Sequence, residues 1–294
     1  MSSHRSYADT WVIVEIRRQQ FAIPAAAVRE IVAIPEVTTL PRGRPEDRGV
    51  ITLRGSCLPV IDLRRKFGWQ SVPEELADFC RLMQQREQDH RRWLEELERS
   101  VIEGSEFQLA IDPHKCAFGK WYDSYRSESP WVTGLLQKFE HPHGRKHAFA
   151  ASTSAFLAEG KNEEARRLVD SARHGELQIM VSLFRQLKDL VRETARELAV
   201  VISTPSNTFA VSIDRTVGVE NIPADRIQSL DTAVFPRGWG LGQTVAPRVA
   251  QRSASLAIIL HPESLDPTAS KPAARGAHHE RSMGCVDPII ADVS

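Results

Sequence analysis

The sequence predicts a multi-domain α+β protein in which a helical segment interrupts a β-rich one. Three observations carry that expectation. Short β-branched runs broken by proline and glycine fill residues 11–69, the same texture returns over 198–265, and the text between them is charged and of helical period. At 294 residues the chain exceeds one average domain, so a second hydrophobic core is expected.

In the first β segment, strands are expected over 11–16, 21–23, 28–34, 50–53 and 58–63. Their lengths, punctuated by Pro24, Pro35, Pro41, Pro45, Gly49 and Gly55, fit a small barrel or sandwich. Pro24 with three alanines behind it fits a single helical turn. Strands return over 198–203, 209–213, 216–220 and 256–260, with Pro205-Ser206-Asn207 as a hairpin turn. Each flank is short for a domain, so 11–69 and 198–265 read as two halves of one. Residues 266–294 are rich in Pro, Ala, Ser and His without periodicity and are expected to be a disordered tail.

Between them, residues 70–197 are expected to hold four or five helices. A first long helix over 74–101 carries Leu76, Phe79, Cys80, Met83, Glu87, His90, Trp93, Leu94, Leu97 and Val101 on one stripe. Ser129-Pro130 reads as a cap with proline at the first helical position, opening a helix to about residue 140, and Pro142 starts the next. Asn162 reads as the cap of a final long helix, with Gly175 as an interruption.

The totals exclude several function classes. Lys plus Arg (38) balances Asp plus Glu (38), so no net field favours nucleic acid or an anionic membrane, and proteins are the expected partners. Residues 1–10 are polar and no apolar run approaches a membrane span, which makes cytoplasm the expected location. Cys57, Cys80, Cys116 and Cys285 lie far apart, without a disulfide framework. Cys57 and Cys80 read as buried apolar positions and Cys285 as a free thiol. Gly238 to Gly242 is not a dinucleotide loop, because no helix pattern follows it.

One cluster carries chemistry. Five of the ten histidines, His90, His114, His141, His143 and His147, fall within residues 90–147, where even scatter puts about two. His143 and His147 are an i, i+4 pair, one turn apart on one helix face. With the thiolate of Cys116 and the imidazole of His90, they make a Cys1His3 set that suits tetrahedral zinc. Taken singly, a solvated helix face for the i, i+4 pair and a hydrogen-bonded core histidine for His90 are the better explanations of these residues.

The stretch Cys116-Ala117-Phe118-Gly119-Lys120-Trp121, after a histidine on the first helix and before His-x-x-x-His, resembles the signature of the CZB family, the chemoreceptor zinc-binding domains. The resemblance covers about residues 77–192. It implies a four-helix bundle that holds Zn(2+) through His90, Cys116, His143 and His147. His114 and His141, extra imidazoles near the site, read as exposed bystanders or as donors behind the ligands rather than as ligands.

The flanks carry a second resemblance. Residues 49–63, Gly-Val-Ile-Thr-Leu-Arg-Gly-Ser-Cys-Leu-Pro-Val-Ile-Asp-Leu, are similar to the central motif of the CheW family, the coupling proteins of bacterial chemotaxis. Phe21-Ala22-Ile23-Pro24 with Val28 to Ile31 resembles its opening, and residues 209–219 resemble its second-half motif. The resemblance implies two small SH3-like β-barrels, interrupted here by the helical insert, that bridge a CheA-like histidine kinase to the cytoplasmic tip of a chemoreceptor. Arg54 matches an arginine the family uses at its interaction surface; a turn arginine paired locally is the competing reading.

Together these imply a non-catalytic coupling scaffold modulated by zinc occupancy or by oxidation of Cys116, with hypochlorous acid or another oxidant as the signal. A constitutive scaffold with purely structural zinc is the alternative, and self-association through the bundle stays open. A zinc hydrolase is disfavoured, because four protein ligands close the tetrahedron and Gly144, Arg145 and Lys146 between the histidines rule out His-Glu-x-x-His.

Overall fold

The computed structural model describes residues 9–41, 43–229, 248–252 and 255–268. Gly238 to Gly242, Cys285 and the tail from residue 269 lie outside the described residues. The chain divides into two compact units, residues 9–72 with 196–268, and residues 73–195.

The first unit is β-rich. Before the helices come β1 (Thr10–Ile16), β2 (Gln19–Pro24), β3 (Val28–Ala33), β4 (Asp47–Leu53) and β5 (Ser56–Asp62), then α1 (Leu63–Lys66). After them come β6 (Leu198–Ser203), β7 (Thr208–Ile213), β8 (Arg215–Asn221), β9 (Ile227–Ser229), β10 (Arg248–Gln251) and β11 (Leu256–Ile259). They form a six-stranded sheet in the order β8-β1-β2-β11-β10-β9 and a five-stranded sheet in the order β3-β6-β7-β5-β4. Each sheet mixes strands from both sides of the helical stretch: β1 pairs with β8, β2 with β11, β3 with β6 and β5 with β7. Alternating inward residues such as Val12, Val14, Phe21, Ile23, Val200, Phe209 and Val211 make one buried cluster.

Two hairpins turn over two residues in left-handed backbone, Arg17-Arg18 (φ 48° and 63°) and Arg54-Gly55 (φ 50° and 81°). Such turns match the twist of the strands they join. Arginine enters this conformation at a steric cost that glycine does not have; the Arg17 amide is held there by donating to Asp214 Oδ2 at 2.7 Å.

Several expectations need correction. Leu63 opens α1 and does not end a strand, because the Asp62 carboxylate caps the helix by accepting from the Arg65 amide at 3.0 Å. The single helical turn expected after Pro24 is present, as a 3-10 turn over Ala25–Ala27. β9 and β10 are too short and polar to read as strands in sequence. Cys57 is exposed and Cys80 only half-buried; Cys57 stands at the exposed start of β5, beside the Arg54-Gly55 turn and ahead of the buried residues Val60 to Asp62. Residues 266–268 are not part of a disordered tail. The helical turn Pro262–Leu265 buries Leu265, and Asp266 then accepts from Ser206 Oγ at 2.9 Å, Asn207 Nδ2 at 3.3 Å and the Thr268 amide at 2.8 Å.

The second unit is helical: α2 (Val72–Glu103), α3 (Ala117–Ser124), α4 (Pro130–Gln137), α5 (Glu140–Ala158), α6 (Asn162–His174) and α7 (Glu176–Thr194). Ser129 caps α4 through the Val132 amide, with Pro130 at its first position. The last long helix is broken into α6 and α7 at Gly175. Asn162 does not cap it; Lys161 holds that position without a side-chain bond. One apolar cluster gathers Phe79, Met83, Phe118, Phe139, Phe184 and Leu187, a second Trp93, Leu94, Leu97, Ala150, Val169 and Leu177. Among the described residues no helix is long and apolar enough to cross a membrane.

Candidate metal centre

His90 lies on the buried stripe of α2 between Met83 of one apolar cluster and Trp93 of the other. Cys116 occupies the cap position of α3, where its sulfur accepts the Gly119 amide at 3.2 Å. Gly119 is required sterically: a Cβ there would stand 1.9 Å from the Pro113 carbonyl oxygen. The helix start thus packs directly on the loop before it, which fixes where the sulfur points. His143 and His147 sit on α5 with ring centroids 4.8 Å apart. One donor atom from each of His90, Cys116, His143 and His147 lies within 4.8 Å of every other. His114 and His141 are exposed and outside this group, and His114 Nδ1 instead meets Asp123 Oδ2 at 2.9 Å.

The imidazoles are oriented from behind. His90 Nδ1 meets the Arg86 carbonyl at 2.6 Å, and His147 Nδ1 meets the Ala110 carbonyl at 3.1 Å. A carbonyl only accepts, so both rings carry their proton on Nδ1 and present the Nε2 lone pair to the centre. Those two Nε2 atoms are buried without a hydrogen-bond partner. The remaining pair, Cys116 Sγ and His143 Nε2, stand 3.3 Å apart. Burial keeps all three rings neutral, pushing His90 well below its usual range, His143 down to about 3 and His147 to about 4. Burial also raises the Cys116 thiol, an effect the Gly119 and Phe118 amides oppose.

These features fit a divalent ion of borderline softness. Neutral imidazoles with orphaned, inward lone pairs are costly unless something accepts them, and a sulfur beside them completes a four-donor set of the zinc type. Bond lengths of ~2.0–2.3 Å put tetrahedral ligand atoms roughly 3.3–3.6 Å apart, the spacing of Cys116 and His143.

Sequence reasoning missed three neighbours of the site. The Ala110 carbonyl serves both His147 and the Trp93 indole, which donates to it at 2.8 Å. Nothing in sequence marks a backbone acceptor of this kind. Trp93 stacks edge-on against His147 at 4.9 Å. Lys146 is fully buried, with Nζ 3.8 Å from the centroid of the Trp93 ring. Its spacing three residues after His143 places it on the metal-facing side of α5, a signal visible in the sequence.

Arg54, at the tip of the β4–β5 hairpin, is 80% exposed along its side chain and pairs with Glu30 at 3.0 Å. Both readings of this residue thus have a physical counterpart: an accessible guanidinium, and a local partner.

Comparison with known proteins adds names to these regions. No curated protein matches the chain. The crystal structure of scaffolding protein TtCheW from Thermoanaerobacter tengcongensis aligns with 88% of this chain and 88% of its own, at 12% identity and a TM-score of 0.40. Residues 10–90 match the CheW-like domain, a match that runs into α2, and residues 90–153 match the chemoreceptor zinc-binding domain; β6 to β11 lie outside both. The chain therefore joins a CheW-like region, matched over residues 10–90, to a chemoreceptor zinc-binding region, matched over residues 90–153.

Proposed function

We propose that this protein is a non-catalytic chemotaxis coupling scaffold, bridging a histidine kinase to a chemoreceptor, whose contacts respond to the state of a zinc ion held by His90, Cys116, His143 and His147. The observation that carries the reading is the convergence of those four donors within 4.8 Å, in a chain whose other unit is CheW-like. The helical unit is read as an insert between two halves of a CheW-like double barrel. Its support is the strand pairing across the helical stretch, β1 with β8 and β3 with β6. The exposed guanidinium of Arg54 is the contact proposed for the partner.

Cys116 is the proposed responsive ligand, since it is the one donor residue of the four that is not fully buried. Its thiolate reacts with hypochlorous acid by forming a sulfur–oxygen bond and releasing chloride. The sulfur loses two electrons to chlorine, and the sulfenic acid formed is a poor zinc ligand. A loosened fourth ligand lets α3 leave the bundle while the three imidazoles stay on α2 and α5. The second reading is a constitutive scaffold with structural zinc, favoured by the carbonyl anchoring of His90 and His147.

The experiment is affinity of the full chain for a CheA-type kinase and for a receptor tip, measured on zinc-loaded, metal-free and oxidised protein, beside Cys116→Ser and Arg54→Ala. Responsive coupling predicts different affinities in the three states, a difference abolished in Cys116→Ser. Identical affinities in all three leave the constitutive reading. No binding to either partner in any state removes both.

A further inference from the structure

Trp93 is 4% exposed, and its indole N–H uses an acceptor that a second side chain also uses. Trp93 Nε1 donates to the Ala110 carbonyl oxygen at 2.8 Å, and His147 Nδ1 donates to the same oxygen at 3.1 Å. A carbonyl oxygen has two lone pairs and accommodates both donors. Three pieces of chain therefore meet at one atom: α2 through Trp93, α5 through His147, and the segment between α2 and α3 through Ala110. Each of the three also brings a donor to the metal centre. His90 stands one turn before Trp93 on α2, His147 is itself a donor, and Cys116 ends the segment.

Side-chain burial does not fix the segment where it crosses the centre. Leu109 and Ile111, on either side of Ala110, are 39% and 47% exposed. Its inward contacts run to the indole: Phe107 lies edge-on to the Trp93 ring at 5.0 Å, and that ring meets His147 in the same way at 4.9 Å. Phenylalanine or leucine would also fill the apolar cluster that Trp93 shares with Leu97 and Val169, but neither has an N–H. What the indole adds is a donor, and a buried donor fixes the place of the group that accepts from it.

We propose that Trp93 is a positioning residue of the metal centre: by holding the Ala110 carbonyl against α5, its N–H sets the aim of His147 and the approach of Cys116 together. The inference rests on the ligand assignment above. The bond from Nδ1 fixes the imidazole ring, so Nε2 faces the other donors only while the carbonyl stays in place. The same backbone leads on to Cys116 and to the start of α3, where Gly119 packs on Pro113. With the indole donor gone, the oxygen is tied to α5 alone, and the segment shifts relative to α2, which carries His90. The donor set then keeps its composition and loses its geometry.

The test uses the full chain with Trp93 replaced by 3-benzothienylalanine, which keeps the shape of tryptophan with sulfur in place of the N–H, beside Trp93→Phe and Val169→Ala. Val169→Ala opens a cavity in the same apolar cluster from α6, a helix that supplies no donor. Zinc affinity is read by competition with a calibrated chelator. Geometry is read from the cobalt(II) form, whose thiolate charge-transfer and d–d bands report the sulfur ligand and the tetrahedral field. Amide hydrogen exchange over residues 104–115 of the metal-free protein reads the segment itself. The isostere and Trp93→Phe should bind zinc about 10–100-fold more weakly, with weaker cobalt bands and faster exchange, while Val169→Ala keeps the affinity, spectrum and exchange of wild type. Wild-type affinity in the isostere overturns the proposal whatever Trp93→Phe does, because the ring alone then suffices. So does an unaltered cobalt spectrum or unaltered exchange in the isostere, or a loss of affinity in Val169→Ala as large as the isostere's, since packing then accounts for the effect. Wild-type protein that binds no zinc refutes the ligand assignment and the proposal with it, and metal analysis run first identifies that failure.

Discussion

Arg48 on β4 and Glu197, the residue just before β6, form an ion pair at 2.7 Å across 149 positions of sequence. Both are largely buried, at 17% and 6% side-chain exposure. The backbone of Glu197 also accepts the Ile34 amide at 3.1 Å. The point where the chain re-enters the sheets is thus fixed by charge as well as by strand pairing.

Breaking such a pair costs more than replacing it, because the orphaned charge stays buried. Arg48→Met should therefore lower the unfolding free energy of the β-rich unit by about 3 kcal/mol at neutral pH, read from denaturant midpoints. Arg48→Met with Glu197→Met should recover most of that loss. Burial already raises the Glu197 carboxyl, with Arg48 opposing. Without Arg48 the carboxyl rises further, so the deficit of the single variant should shrink as pH falls and the group takes up its proton. A deficit that is the same at pH 5 and pH 8 contradicts this.

How much of this was legible in sequence follows from where the information sits. Strands such as 198–203 are β-branched runs between turn residues, and they were readable because local pattern and tertiary role agree. Period also marked α2, whose buried stripe includes Phe79, Met83, His90 and Trp93. The four donors were legible because their motif is spaced by local geometry: a cap, a close-packed glycine and an i, i+4 pair. What stayed hidden depends on long-range partners. β10 has few strand-forming residues and exists through its pairing with β9 and β11. Cys57 was misjudged because the apolar residues after it mask its place at the exposed start of the hairpin strand.

Gly119 and Gly144 make a paired test of helix glycines. A Cβ at Gly119 meets the Pro113 carbonyl oxygen at 1.9 Å, whereas at Gly144 nothing lies within 4 Å. Gly119→Ala should displace the start of α3, weaken zinc binding at least tenfold and lower helical-unit stability by roughly 2 kcal/mol or more. Gly144→Ala should instead stabilise by about 0.5–1 kcal/mol, the ordinary gain of alanine over glycine in a helix. Zinc titration and thermal melts of the two variants side by side check this; equal effects would count against the packing argument.

The ligand assignment predicts one zinc per chain in wild type. His90→Ala, His147→Ala and Cys116→Ser should each lose most of it. His114→Ala and His141→Ala should keep it, because both side chains are exposed and outside the donor group. Removing the metal with a chelator should lower the melting temperature of the helical unit and leave the β-rich unit unaffected, since binding energy of a structural site is folding energy. Metal analysis and a two-transition melt read these outcomes. Retention of zinc by both His90→Ala and His147→Ala would show that the ion sits elsewhere.

Acid should destabilise the metal-free helical unit in a defined window. In the folded state His143 titrates at about 3, His147 at about 4 and His90 well below its ordinary value, all through burial. In the unfolded chain each titrates near ~6.5. Their folded values are depressed, so the unfolded chain binds more protons as pH falls below about 6.5, and stability present above that pH is lost toward the folded values. With all three rings contributing, the slope approaches its limit of about 4 kcal/mol per pH unit below the unfolded value. Lys146 is held down to about 7, and its own depressed value acts in a separate window, between there and the ordinary lysine range. Urea midpoints of the metal-free protein should therefore fall steeply from pH 6.5 to 5, and His143→Leu should remove about one proton from the slope. A midpoint that is flat across that interval would mean the imidazoles are not buried neutral, and with it would go the reason for their lone pairs to await an ion.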